Sequence, residues 1–189
     1  MEGTLKLVAG LGNPGRRYEG TRHNVGYVVL AELARRHGGG KPKAQFQAEV
    51  VEARIEPHKL LLLAPTTYMN LSGTSVLAAR DFYKISDEDL LIVCDDFNLP
   101  LGKLRIRPRG SAGGQKGLAD VIRRLSTDEV PRLRVGVGAP AGGRDPADHV
   151  LSRFRKEEQP EIDIAIQHAA DAVALWARDG IEECMNRFN

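Results

Sequence analysis

Residues Leu90–Cys94 read Leu-Leu-Ile-Val-Cys, five apolar side chains in succession. Alternate side chains of a strand point to opposite faces, so this run makes both faces apolar. Such a strand must be covered on both sides, the usual situation of a parallel strand between helix layers. The neighbouring segments agree with that placement. Leu5–Ala9 reads as a strand, and Val25–Arg36 as a helix with Val25, Val28, Val29 and Leu33 inward, stopped by Gly38–Gly40. Glu49–Ile55 and Leu60–Ala64 are strands flanking a turn at Pro57–His58, which predicts a hairpin. Asn70–Tyr83 and Gly117–Leu125 have helical spacing, and Lys103–Arg107 and Leu133–Val137 read as strands. Glu161–Trp176 is a helix whose Ile162, Ala165, Ile166, Ala169, Val173 and Trp176 form one core-facing stripe. The expectation is an α/β protein: one compact domain over residues 1–189, with a mixed, mostly parallel sheet flanked by helices.

Composition narrows the function classes. The chain has 189 residues, 42% of them hydrophobic, enough for a full core. A formal charge of +2 leaves any nucleic-acid affinity to local patches. Cys94 and Cys184 are far apart and make no disulfide framework. The start MEGTLKLVAG has no basic stretch followed by a long apolar run, and no segment has membrane-spanning length. A cytoplasmic protein is expected. His23, His37, His58, His149 and His168 lack ligand spacing, so no metal site is expected.

Gly10–Gly26, GLGNPGRRYEGTRHNVG, follows the first strand and concentrates chemistry. Gly10, Gly12 and Gly15 satisfy the letter of a dinucleotide fingerprint. That motif requires a helix opening at its third glycine, whereas Pro14 and the polar run to Asn24 delay this one. The next strand also starts too late for a compact βαβ unit, so a nucleotide cofactor is not expected. The loop instead supplies His23, a group suited to proton transfer near neutral pH. Arg16, Arg17 and Arg22 around it favour an anionic substrate.

Polar clusters follow three apolar strands. Asn13 and His23 follow the first, Thr66–Asn70 the second, and Asp95, Asp96 and Asn98 the third. Ligand sites in open α/β sheets gather beyond the carboxyl ends of strands, so the three clusters are expected to share one cleft. There a histidine held by a carboxylate can take a proton from water. Neutral amides such as Asn13 and Asn70 can donate to an oxygen gaining negative charge. Without an evident Ser or Cys nucleophile, the economical chemistry is attack by activated water on an ester or amide. Residue types alone do not choose between Asp95 and Asp96.

Five cations and no acid lie between Leu101 and Lys116: Lys103, Arg105, Arg107, Arg109 and Lys116. In a strand Lys103, Arg105 and Arg107 share a face. The glycine turn Gly110–Gly114 then leads to a helix start able to accept a phosphate, so the segment is expected to contact a phosphate or an RNA backbone.

Together, GLGNPGRRYEGTRHNVG (10–26), PTTYMNLSG (65–73), DDFNLPLGKLRIR (95–107), GSAGGQKGL (110–118) and RLRVGVGAP (132–140) resemble the bacterial-type peptidyl-tRNA hydrolases over almost the whole length. These enzymes free peptides from transfer RNA by hydrolysing the ester link. The resemblance implies a small α/β fold, a peptidyl-tRNA partner, no metal or cofactor, and a monomer. It makes His23 the general base and Asp95 its carboxylate. Asn13 would contact the peptide end and distinguish blocked from free aminoacyl-tRNA, and Asn70 would bind and polarise the substrate. Tyr68 and Met69 would line the cleft, Tyr18 would lie near the acceptor end, and Lys103, Arg105 and Arg134 would meet phosphates.

One departure stands out. Members commonly read G-G-H-N-G where this chain has Gly113-Gly114-Gln115-Lys116-Gly117. Lys116 cannot accept a hydrogen bond as an asparagine does, but its charge suits a phosphate. Two rival readings are a non-catalytic RNA-binding protein of the same fold and a hydrolase of other small esters or peptides. The joint presence of Asn13, His23, Asn70 and Asp95 argues against the first, and the basic segment against the second.

Overall fold

Residues 2–189 are described by a computed structural model. The elements in chain order are β1 (Leu5–Gly10), α1 (Val25–His37), β2 (Lys43–Gln45), β3 (Ala48–Ile55), β4 (His58–Pro65), α2 (Ser72–Tyr83), β5 (Leu90–Asp96), β6 (Leu104–Arg107), α3 (Lys116–Leu125), β7 (Arg132–Gly136), α4 (Pro146–Val150), α5 (Gln159–Asp179) and α6 (Ile181–Phe188). The strands form one seven-stranded sheet in the order β2-β3-β4-β1-β5-β7-β6. β4, β1, β5 and β7 run parallel through its centre, and the marginal strands β3, β2 and β6 are antiparallel. This is the mixed sheet between helices that the apolar runs predict.

The period of two divides the core. Val8 lies in register between Leu62 of β4 and Leu91 of β5, and these pack with Val93, Leu133 and Val135 beneath α1, α5 and α6. The alternate residues Leu7, Ala9, Leu61, Leu63, Leu90, Ile92 and Cys94 face α2 and α3 on the other side. Each fully buried Leu, Ile or Val of this kind contributes roughly 1.5–3 kcal/mol over its exposed state, before ordering entropy. The six-residue stripe from Ile162 to Trp176 is buried as expected. Burial also inertises Cys94: desolvation, then the nearby Asp95 and Asp96 carboxylates, push its thiol pKa far up.

Several expected elements differ in detail. Val28 is exposed, because the buried side of α1 is Val25, Gly26, Val29, Leu30 and Leu33. The hairpin turn is Glu56–Pro57, and His58 already pairs with Ile55. The helix expected from Asn70 begins as a 3-10 turn over Met69–Leu71, with α2 proper from Ser72. Lys103 precedes the strand rather than joining it. Sequence reading missed β2, α4 and α6; α4 carried a signal, since Asp145 caps Ala147 N at 2.9 Å with Pro146 following it. Among the described residues, no helix is long and apolar enough to cross a membrane.

Candidate active site

Because β4, β1 and β5 are parallel, their carboxyl ends open on the same side of the sheet. The three polar clusters meet there. A cleft of about 450 Å³ is lined by Asn13, Tyr18, His23, Tyr68, Met69, Asn70, Asp95 and Lys116, eight of the residues singled out from sequence. Its wall is completed by Phe97, Gln115 and the α4 segment with Asp145 and Val150, which sequence reading did not place there.

The Gly10–Gly26 loop is closed by contact between its own ends. A Cβ on Gly10 would lie 2.4 Å from Gly26 O, and one on Gly26 would lie 2.6 Å from both Leu11 N and Leu11 O. Only glycine permits that approach, which sets the start of α1 against the end of β1. Within the loop, Asn24 Oδ1 accepts from Asn13 N at 2.8 Å, and Asn24 Nδ2 donates to Asn13 O at 2.9 Å. Tyr27 backs the same loop and donates its hydroxyl to Pro65 O. Burial, helped by the Glu49 charge, pushes the Tyr27 phenol pKa well up, so it remains a neutral donor.

His23 sits in a 3-10 turn, Arg22–Asn24, and is buried. Its Nδ1 lies 2.9 Å from Asp95 Oδ1 and 3.0 Å from Asp95 Oδ2. A carboxylate there selects the tautomer with hydrogen on Nδ1, leaving the Nε2 lone pair unshared. Asp96 has a different employment. Its Oδ1 accepts from Asn98 N at 2.7 Å and its Oδ2 from Arg134 Nη1 at 2.9 Å. Strand alternation separates the two acids, placing Asp95 with Leu91 and Val93 and Asp96 with Cys94.

Gln115 also reaches Asp95, donating from Nε2 to Oδ1 at 3.0 Å. Asn13 Oδ1 accepts from Met69 N at 2.7 Å, so its amide NH₂ is the end left for a ligand. Asn70 is exposed at the cleft. Tyr18 and Tyr68 meet edge to face with centroids 6.5 Å apart, and Tyr68 is 58% exposed. Lys116 is exposed and makes no ion pair among the described residues.

Some sequence expectations fall elsewhere. Arg22 is no anion receptor: it is buried and paired with Glu158 through Nη2–Oε1 at 2.7 Å and Nη1–Oε2 at 3.0 Å. Lys103, Arg105 and Arg134 do not line the cleft. Arg105 and Arg134 are cross-strand neighbours on β6 and β7, with Arg134 tied to Asp96 and both Nε atoms buried without a partner among the described residues. The α3 start is partly occupied, because Gln115 Oε1 already accepts from Leu118 N at 2.7 Å. Among the described residues, no three His, Cys, Asp or Glu side chains converge as a metal site requires.

A buried histidine–carboxylate pair, with neutral amides beside it at the carboxyl ends of parallel strands, can supply both the base and the donors of a hydrolytic centre. The comparisons fall in the same class. A family model for peptidyl-tRNA hydrolase matches residues 7–189. A peptidyl-tRNA hydrolase of Rhodopirellula baltica is 52% identical over 185 residues, covering 98% of this chain and 97% of that protein. One from Brevibacillus brevis is 44% identical, covering 98% of each. The crystal structure of peptidyl-tRNA hydrolase from Acinetobacter baumannii superposes with a TM-score of 0.91 at 36% identity, covering 98% of this chain and 94% of that one. The chain belongs to the peptidyl-tRNA hydrolase family. It is an enzyme of the hydrolase class, as the five motifs predict.

Proposed function

We propose that this protein hydrolyses the ester between a peptide and the terminal ribose of tRNA, using His23 as the base. The observation that carries this reading is the fixed Nδ1 contact to Asp95, 2.9 Å long in a buried setting, which leaves Nε2 to accept a proton. Water loses a proton to Nε2, and the resulting hydroxide bonds to the ester carbonyl carbon. Negative charge on the carbonyl oxygen meets the amide N–H groups of Asn13 and Asn70. Collapse breaks the bond to the ribose oxygen, which takes the proton back from His23. The peptide leaves as a carboxylic acid and the tRNA as an alcohol. Asp95 orients the imidazole and balances its transient positive charge.

Asn13 is also the contact for the blocked end of the peptide, and Tyr18, Tyr68 and Met69 form the wall against the acceptor end. Lys116, an unpaired cation at the rim, meets a phosphate of that end. Lys103, Arg105 and Arg134 extend phosphate contact beyond the cleft along the sheet edge, Arg134 in exchange for part of its Asp96 pairing. The protein acts without a metal, as a cytoplasmic monomer.

Release of peptide from N-acetyl-aminoacyl-tRNA, measured with wild type and His23→Ala in excess chelator, tests the reading. Release by wild type alone is expected. Undiminished release by His23→Ala removes His23 from the chemistry, and tight binding without release by either protein supports an RNA-binding role instead. For Lys116, Lys116→Asn is expected to flatten the salt dependence of tRNA binding by about one phosphate contact, and an unchanged slope refutes that contact.

A further inference from the structure

We infer that Gln115 is a positioning residue for the His23–Asp95 pair: its amide, locked by the first turn of α3, fixes the carboxylate oxygen that holds the imidazole. This rests on the proposed role of His23 as base. Gln115 is 6% exposed, and all of its amide is engaged. Its Oε1 accepts from Leu118 N at 2.7 Å. Only the oxygen of an amide can accept from a backbone N–H, so that cap determines which way the amide faces. Nε2 is then turned into the site, 3.0 Å from Asp95 Oδ1 and 3.3 Å from Met69 Sδ. The fit leaves no spare room, since a Cβ on Gly117 would lie 2.5 Å from Met69 Sδ and 3.1 Å from Gln115 Oε1.

Asp95 Oδ1 therefore accepts from Gln115 Nε2 and shares the His23 Nδ1 hydrogen with Oδ2. The first holds the carboxylate plane in place through a helix terminus rather than through another mobile side chain. Released from that bond, the carboxylate is free to turn, and the imidazole it holds loses its fixed direction. Gln115 is itself neutral at every working pH, so its donation does not change as the site titrates.

Two substitutions separate this role from simple capping. Gln115→Asn keeps a preferred helix cap but lacks one methylene, so its nitrogen falls short of Asp95. Gln115→Met keeps the volume and loses all three hydrogen bonds. The other ionisable groups around the pair are unchanged in both: Lys116, Asp145, Tyr18 and Tyr68 at the cleft, Arg22 with Glu158, Asp96 with Arg134, and Cys94.

The measurement is steady-state hydrolysis of N-acetyl-aminoacyl-tRNA, with His23→Ala as reference and melting temperatures alongside. Both variants are expected to lose about 10-fold in kcat with KM within about twofold, because the affected group acts on the reacting centre and not on tRNA binding. Gln115→Asn is expected to melt as wild type does. A Gln115→Asn enzyme with wild-type kcat overturns the inference, leaving Gln115 as a cap only. Retained turnover by His23→Ala overturns the underlying role of His23 instead, and so identifies which of the two readings has failed.

Discussion

Asn24 grips the backbone of Asn13 on both sides, accepting from its N–H at 2.8 Å and donating to its C=O at 2.9 Å. Asn24 directly follows His23 in the chain, so one buried side chain sets the spacing between the proposed base and the proposed amide donor. Asn13 in turn receives Met69 N on its side-chain oxygen. The ends of β1 and β4 and the start of α1 are thereby joined through three hydrogen bonds.

Asn24→Ala leaves a buried N–H and a buried C=O of Asn13 unpaired. A loss of about 1–3 kcal/mol in unfolding free energy is expected, together with reduced kcat. Urea unfolding monitored by far-UV circular dichroism checks the first part, and a variant as stable as wild type contradicts the assignment.

Gly26→Ala is expected to destabilise, although alanine improves helix propensity by about 1 kcal/mol. The added methyl would lie 2.6 Å from the main chain of Leu11, where nothing flexible can yield. Overpacking of this kind costs roughly 1–3 kcal/mol or more. Thermal melting of Gly26→Ala decides the sign.

Glu158 carries a pH dependence. Hydrogen bonding to Arg22, supported by the backbone and side chain of Arg155, lowers its carboxyl pKa from 4.5 to about 2. A depressed folded-state value means this stabilisation is complete above the unfolded value and lost as pH falls from about 4.5 through 2. Glu158→Gln should therefore lose stability at pH 7 and show a shallower decline over that acid range. Because Arg22 is left buried without its charge partner, the neutral-pH loss is expected to be about 3 kcal/mol. Urea midpoints at pH 7 and pH 3 for both proteins test it, and parallel acid declines would contradict the pairing.

Asp95→Asn is expected to cost less than His23→Ala. Gln115 Nε2 and His23 Nδ1 both reach Oδ1, so an asparagine oxygen in that place accepts from both, but its NH₂ then replaces Oδ2 3.0 Å from Nδ1 and disturbs the imidazole's orientation. Also lost is the negative charge opposite the imidazolium. A fall of about 10²-fold in kcat is expected, against roughly 10³-fold or more for His23→Ala. Equal losses would mean the pair acts as one unit.

Asn13→Asp keeps the oxygen that accepts from Met69 N but replaces the free NH₂ with an acceptor. A loss of about 10²–10³-fold in kcat/KM is expected, as for removal of an oxyanion donor. Comparing N-acetylated with free aminoacyl-tRNA then tests whether Asn13 also discriminates the blocked end, in which case that preference shrinks in the variant.

Local rules made much of this molecule legible in its sequence. Five consecutive apolar residues at 90–94 required cover on both faces, and α2, α3 on one side with α1, α5, α6 on the other supply it. The polar clusters after β1, β4 and β5 followed from strand ends, and parallel pairing brings them to one cleft. Periodicity and turn chemistry act over a few residues, so a chain states them directly. The choice of Asp95 over Asp96 was of another kind, since it depends on which sheet face the loop before α1 approaches. Arg22 has the charge of an anion receptor in sequence, but Glu158, 136 positions away, holds it. Gln115 shows the same limit: its amide has meaning only where the start of α3 meets the end of β5. Those relationships are contacts between segments distant in sequence, and their partners are selected by packing geometry, which only the tertiary structure contains.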